Sequence, residues 1–171
     1  MRLPVDGAPA TVIRRATVAD APEIARMHVQ SWRETYADAV PAAVLAGLDL
    51  EARVERWEGI LRREGSTTHV ASAADVVVGF ANAGPGRDAD APVARELEGI
   101  YVLGSHHRER LGSRLLTAAI GTYDAYLWVW TGNRHAIAFY RSHGFELDGV
   151  VEDHPLAGHP MEVARMVRLT T

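Results

Sequence analysis

The segment Gly104–Leu116, GSHHRERLGSRLL, places two histidines and three arginines at the start of an amphipathic run. The aliphatic stretch ELEGIYVL precedes it, and leucines follow it at helical spacing. This pattern predicts a strand that ends at Val102 or Leu103 and, after a turn, a helix that begins near Arg110. The basic cluster is then a solvated surface, a metal site or a site for a phosphorylated ligand.

The predicted helix start favours an anion. The first turn of a helix leaves backbone N–H groups without partners, and the peptide dipoles add partial positive charge there. Arg108, Arg110 and Arg114 add full positive charge, and Gly112 lets a ligand approach the backbone closely. The alternative is a basic helix start that only faces water.

The histidines do not form a familiar metal motif. His106 and His107 are adjacent, so on extended backbone they point in different directions. His154 and His159 have no third ligand at a known spacing, and the chain contains no cysteine. We therefore predict no metal site. The phosphate-binding fingerprints of nucleotide enzymes are also absent from the sequence.

Length and composition predict one globular domain. The chain has 171 residues and a formal net charge of −4, which argues against general nucleic-acid binding. It contains neither a run of 18 apolar residues nor an apolar signal-peptide core, so we expect no membrane insertion and a cytoplasmic location. Residues 1–11 are expected to form a flexible tail, and residues 12–171 the domain.

The predicted order of elements is β, α, α, β, β, β, α, β, α, β, β. Strands and helices alternate only in the second half, which is typical of a mixed α/β sheet. We expect about six to seven strands, flanked by about four helices.

Two segments carry a resemblance to a known family. The stretch 133–149, NRHAIAFYRSHGFELDG, is very similar to the later signature of the GNAT N-acetyltransferases, and 104–116 resembles their acyl-CoA-binding motif. In that motif a Gln or Arg, a Gly and a final Gly or Ala fall on His107, Arg110 and Gly112, so only the last position matches. The resemblance extends over about residues 12–169, and its signature residues here are Asn133, Ala136, Phe139, Tyr140, Gly144 and Phe145.

The resemblance implies the GNAT acyltransferase fold and acetyl-CoA as co-substrate. It implies that loop N–H groups hold the pyrophosphate, that the backbone after Ile100 binds the pantetheine arm, and that Tyr140 protonates the departing thiolate. Asn133 corresponds to a position that binds the cofactor arm, although it could be only a helix cap. The implied cofactor-binding residues are Tyr101, Val102, Leu103, His107, Arg108, Glu109, Arg110, Leu111, Gly112, Ser113, Asn133 and Tyr140.

Candidates for the general base and for substrate binding come from the residues around this core. Glu96 and Glu98 lie two apart on a predicted strand, so both should face one side, and Glu98 is the first candidate for the base. Aromatic residues of the early helix and the fifth strand could bind substrate, or could simply pack in the core. These are Trp32, Tyr36, Trp128 and Trp130.

The resemblance leaves the acceptor open. We expect direct attack by a primary amine of a small molecule, because no cysteine exists to carry the acetyl group. The alternatives are a protein N-terminus or lysine, for which the loop 84–92 could gate a wider groove, and a degenerate acyl-CoA-binding module, which Arg110 at a glycine position would favour. Edge strands and the apolar early helices make a homodimer plausible.

Overall fold

The computed structural model describes residues 10–170, apart from the side chain of Arg108, so most of the predicted tail lies outside it. Within these residues the chain forms seven strands and five α-helices, with 3-10 turns at Val18–Asp20 and Gly104–Glu109. In chain order the elements are β1 (Val12–Arg15), α1 (Ala21–Tyr36), α2 (Ala42–Ala46), α3 (Leu50–Arg62), β2 (Thr67–Ala73), β3 (Val76–Pro85), β4 (Arg95–Val102), α4 (Leu111–Ile120), β5 (Ala125–Trp130), α5 (Arg134–Ser142), β6 (Glu146–Asp153) and β7 (Glu162–Arg168).

One mixed sheet organises the domain, as the sequence predicted. Its strand order is β1-β2-β3-β4-β5-β7-β6, and every neighbouring pair is antiparallel except β4 and β5. The parallel pair is joined through α4, because parallel neighbours need a long crossover. The ladder between these two described strands consists of the single pair Glu96 and Tyr126, and beyond that pair the strands diverge.

The helices cover both faces of the sheet. Phe80 on β3 packs against His28 of α1 and Trp57 of α3, with ring centroids 5.0 and 4.8 Å away. The adjacent Gly79 faces Leu115 of α4. Since successive residues of a strand point to opposite faces, α1 and α3 lie on one face and α4 on the other.

A β-bulge in β4 changes which of its side chains share a face. Asn82 of β3 pairs with Gly99, but the next residue, Ala83, pairs with Leu97, so Glu98 is the extra residue. The bulge places Glu98 beside Asn82, whose amide donates to its carboxylate at 3.1 Å, while Tyr101 pairs with Phe80. Glu98 and Tyr101, an odd number of residues apart, thereby face α1 and α3 together.

A capping box precedes α1. The Asp20 carboxylate accepts a hydrogen bond from the Thr17 backbone N–H at 2.7 Å and so closes the 3-10 turn Val18–Asp20 that leads into α1. Arg14 of β1 also pairs with Asp20 at 2.7 Å. That Arg14 pair, more than any other cause, lowers the pKa of Asp20 to about 2. None of the helices in residues 10–170 is long and apolar enough to cross a membrane.

Candidate active site

The separation of β4 and β5 opens a cleft of about 830 Å³, here called the split cleft. It runs from the carboxyl end of β4, past the 3-10 turn, to the start of α4, and α5 forms its other wall. Where two parallel strands part, unpaired backbone groups are left for a ligand. Most of the implied cofactor residues line it: Tyr101, Val102, His107, Arg110, Gly112, Ser113, Asn133 and Tyr140.

The start of α4 is built to accept an anion. No side chain caps it, and the first N–H that closes a helical turn is that of Arg114, to the Arg110 carbonyl at 3.1 Å. The amides of Leu111, Gly112 and Ser113 therefore have no helical partner. Gly112 and Ser113 line the split cleft, so these amides lie at its edge.

Arg110 occupies the position at which the family motif has a glycine, and its backbone adopts a conformation typical of glycine. Its φ is 54° and its ψ 22°, which is the left-handed conformation that glycine adopts freely. An arginine pays about 1 kcal/mol or more for this conformation. The loop therefore keeps a glycine-like shape, and the long side chain lines the split cleft.

Gly112 is needed for packing. A Cβ at Gly112 would come within 3.2 Å of the Phe139 ring of α5. The absent side chain therefore lets α5 approach the start of α4, and Phe139 itself lines the split cleft. The space beside Gly112, which we expected a ligand to enter, is filled by the Phe139 ring.

The remaining implied cofactor residues divide between the cleft and other places. His107 donates from Nε2 to the Val102 carbonyl at 2.8 Å, at the end of β4. Leu103 and Leu111 are buried in the core. Glu109 is exposed and accepts a hydrogen bond from Thr11 at 2.8 Å, and the side chain of Arg108 lies outside the described part of the chain.

Asn133 and Tyr140 of the second signature both line the split cleft. The Asn133 Oδ1 caps α5 by accepting from the Ala136 N–H at 3.0 Å, which leaves Nδ2 for a ligand. Tyr140 is only 7% exposed. Burial, with a smaller effect of neighbouring Tyr101, raises the pKa of the Tyr140 phenol, so the hydroxyl stays protonated at neutral pH and can donate.

A second cavity of about 390 Å³, here called the arginine pocket, lies on the other side of Tyr101. Tyr101 lines both cavities, so the two adjoin there. The walls come from α1, α3, β3, β4 and the turn after β6. Its polar lining residues include His28, Arg53, Arg56, Arg63, Asn82, Arg87 and Glu98.

The carboxylates of Glu96 and Glu98 lie on one face of β4, as the alternation of side chains predicts. The Arg87 guanidinium contacts both of them. Glu96 is 2% exposed and receives two side-chain hydrogen bonds from Arg87, at 2.9 and 2.5 Å, as well as one from the Tyr126 hydroxyl. This carboxylate holds the loop after β3 in place. Glu96 does not line the arginine pocket.

Glu98, in contrast, lines the arginine pocket. Its side chain is 7% exposed and pairs with Arg63, with Arg87 3.8 Å away. Burial raises the pKa of Glu98 above its usual value, against the opposing effect of the two guanidinium groups. A carboxylate with a raised pKa beside a cavity can accept a proton from an ammonium.

Other groups of the arginine pocket remain neutral. Burial, with the charges of Arg53 and Arg56, lowers the pKa of His28 to about 3. Its Nδ1 accepts from the Trp57 indole at 3.1 Å, so the neutral ring carries its proton on Nε2. Tyr36 and Tyr101 join their hydroxyls at 3.2 Å, and burial raises the pKa of both phenols.

The four predicted substrate aromatics separate into two pairs. Trp32 lines the arginine pocket, and Tyr36 reaches it through Tyr101. Trp128 lines neither cavity and donates to Asp88 at 2.8 Å. Trp130 also lies outside both cavities and packs beside Tyr36, with ring centroids 5.8 Å apart.

The loop between β3 and β4, predicted as a gate, is tied down at several points. Arg87 binds Glu96, Asp88 binds Trp128, and the Asp90 carboxylate accepts from Arg165 at 3.0 Å. Sequence reasoning missed these contacts. It also missed the arginines of α3 and of this loop. They outnumber the acids of the arginine pocket, but the net charge of the whole chain is negative and gives no sign of this local excess.

Within the described residues no three His, Asp or Glu side chains converge as a metal site would require.

Comparison with known proteins agrees with this geometry. Residues 25–145 match the acetyltransferase (GNAT) family profile. An uncharacterized N-acetyltransferase of Bacillus subtilis, YuaI, is 31% identical over 151 residues, 83% of each chain. A probable N-acetyltransferase of Mycobacterium tuberculosis, Rv2775, is 28% identical over 145 residues, 80% of each.

Solved structures show the same fold. A ribosomal-protein-alanine N-acetyltransferase from Brucella melitensis superposes with a TM-score of 0.69 at 28% identity, over 92% of this chain and 99% of that one. The PaiA N-acetyltransferase of Thermoplasma acidophilum, solved with coenzyme A, gives 0.68 at 19% identity over 93% and 98% of the two chains. On its sequence match and its fold, this chain belongs to the acetyltransferase (GNAT) family and is an acyltransferase.

Proposed function

We propose that the protein transfers an acetyl group from acetyl-CoA to a primary amine by direct attack. The observation that carries the proposal is the meeting of two cavities at Tyr101: the split cleft, with its anion-binding helix start, and the arginine pocket, with Glu98. A long donor and a separate acceptor each need a cavity, and the reacting atoms need a place where the two cavities join.

The chemistry of the split cleft suits the donor. The amides of Leu111, Gly112 and Ser113, with Arg110, suit a pyrophosphate. The backbone of β4 beside the split suits the amide-bearing pantetheine arm. Asn133 offers its free Nδ2 to the same arm.

Three groups then divide the chemistry. The amine nitrogen attacks the thioester carbonyl, so a C–N bond forms and the C–S bond breaks. Glu98 receives the proton from the ammonium, directly or through a water. Tyr140 donates its phenolic proton to the departing thiolate sulfur, and the second proton that the nitrogen loses as the amide forms restores the Tyr140 hydroxyl. The burial-raised pKa values of Glu98 and Tyr140 support these roles.

The relative from Brucella melitensis favours a second candidate acceptor, because it is named as an enzyme that acts on an alanine of ribosomal proteins. A peptide with an N-terminal alanine therefore belongs in any acceptor panel. The fixed loop at Arg87 and Asp88 supports the smaller acceptor, since a loop held by buried contacts narrows the entrance.

Calorimetric titration with acetyl-CoA, followed by thiol release with a panel of amines, tests the proposal. We expect micromolar binding and turnover of at least one amine. Binding without turnover of any amine or peptide would overturn the catalytic function and leave an acyl-CoA-binding module. No binding would overturn the assignment of the split cleft.

A further inference from the structure

The arginine pocket holds more positive charge than its carboxylate can balance. Arg53, Arg56, Arg63 and Arg87 line it, together with the single acid Glu98. Two of the four arginines are neutralised locally. Arg63 pairs with Glu98, and Arg87 binds Glu96, which is buried and does not line the arginine pocket.

Arg53 and Arg56 are the two that remain. They lie three residues apart on α3, so they are neighbours on one helix face. Among residues 10–170 neither has a carboxylate within ion-pair distance, and the buried Nε of Arg53 has no hydrogen-bond partner. Arg62 of the same helix, by comparison, pairs with Glu58 at 3.1 Å.

The Arg53 guanidinium is also held in a fixed orientation. Its Cζ lies 4.1 Å from the centre of the Trp32 ring. An aromatic ring that covers one face of a guanidinium leaves the in-plane N–H groups free, and these match the two oxygens of a carboxylate. Burial and the nearby charge of Arg56 lower the pKa of Arg53, so the site disfavours this cation unless an anion is supplied.

The positions of the opposite charges within the pocket add a direction. Glu98 comes from the sheet, whereas Arg53 and Arg56 come from α3 above it. An acceptor with an ammonium toward Glu98 and an anion toward α3 would complement both walls. A volume of about 390 Å³ suits one small molecule of this kind.

We infer that the acceptor is a small amine that itself carries a carboxylate, as a free amino acid does, and that Arg53 and Arg56 bind this carboxylate. The inference rests on the proposed function and names the acceptor class of the same site. It separates such an acceptor from a polyamine, which would bring further positive charge. It also separates it from a peptide N-terminus, because the α-carboxyl of the first residue there is part of the peptide bond.

Matched acceptor pairs provide the test. Thiol release is measured with the common amino acids and with the carboxamide of each, for the wild type and for Arg53→Gln, Arg53→Lys and Arg56→Gln. Because charge-assisted hydrogen bonds are strong, we expect kcat/KM to favour the best acid over its amide by about 10- to 100-fold. Arg53→Gln should reduce this preference to about threefold or less, and Arg53→Lys should restore part of it. Arg62→Gln on the same helix is the control and should leave the preference unchanged.

Two readouts keep the inference separate from the proposed function. Turnover with no preference for the acid, or a preference that Arg53→Gln leaves intact, contradicts the inference alone. If no amine is turned over, the proposed function fails, and calorimetric binding of the same acids and amides to the coenzyme A complex decides the inference. Wild-type binding of an acid that Arg53→Gln abolishes would support it, and equal or absent binding of both members of every pair would overturn it. Acetyl-CoA affinity and thermal unfolding of each variant confirm an intact fold.

Discussion

The split cleft and the arginine pocket adjoin at Tyr101, but they are made of different material. The split cleft offers backbone groups: the open side of β4, the free amides of α4 and one left-handed turn. The arginine pocket offers charged side chains from α3 and the residue after it, from the loop after β3 and from β4. The first arrangement suits a ligand common to a whole family, and the second suits a ligand that differs from one member to the next.

The proposed proton donor of the split cleft, Tyr140, should give the largest effect. Tyr140→Phe removes the phenolic proton and keeps the ring, so turnover should fall about ten- to a thousandfold while acetyl-CoA affinity changes little. Steady-state kinetics and calorimetry measure the two quantities. Tyr123→Phe, at a side chain 68% exposed, is the matched control. Unchanged turnover would remove Tyr140 from the mechanism.

The pH profile of kcat/KM should report the titration of the proposed proton acceptor, Glu98. If the proton moves from the ammonium to Glu98, kcat/KM should be level between the pKa of Glu98 and that of the amine, and should fall below the pKa of Glu98. Since the carboxylate acts when deprotonated, its burial-raised pKa moves this fall to higher pH than an exposed Glu would give.

Glu98→Gln should lower kcat/KM about 10- to 100-fold at neutral pH. In the region where the wild-type profile is level, kcat/KM of the variant should fall tenfold for each unit by which the pH is lowered, because only the free amine then reacts. The glutamine oxygen can still accept from Arg63, whereas its NH2 group replaces the oxygen that accepts from Asn82, so the fold should survive with a small loss of stability. A variant profile that stays level would show that another group takes the proton.

The left-handed turn should give a smaller effect of mixed sign. Arg110→Gly removes a cation from the split cleft and should weaken coenzyme A binding about three- to tenfold. It should also raise the free energy of unfolding by roughly 0.5 kcal/mol, because relief of the backbone strain exceeds the added unfolded-state entropy of glycine.

Two controls define that result. Arg110→Lys keeps the charge and the strain, so both quantities should stay close to the wild type. Arg114→Gln removes an arginine whose side chain donates to the Thr11 carbonyl outside the split cleft, and it should affect coenzyme A binding less. Denaturant unfolding measures the stability, and a lower free energy of unfolding for Arg110→Gly than for the wild type would disprove the proposed backbone strain.

The same contrast explains what the sequence could predict. The order of strands and helices followed from periodicity. The split cleft was predictable in outline because two short continuous segments, 100–113 and 133–140, contribute all of its lining except Glu34 and Thr35. Its left-handed Arg110 was not, since the motif suggested only that a glycine was missing.

The arginine pocket was beyond sequence reasoning for a physical reason. Arg53 and Glu98 are distant in the chain, and the bulge in β4 shifts the alternation of side chains so that Tyr101 joins Glu98 on one face. A bulge has no reliable signature in a single sequence. Trp128, proposed from its strand position, instead holds Asp88.

Amide hydrogen exchange, followed by NMR with and without acetyl-CoA, shows which of the two cavities holds the donor. If the donor is held by backbone groups of the split cleft, acetyl-CoA should slow exchange at Leu111, Gly112 and Ser113 and leave residues 50–62 of α3 unchanged. Slowed exchange in α3 with none at the start of α4 would show that the donor enters the arginine pocket, and would contradict the account.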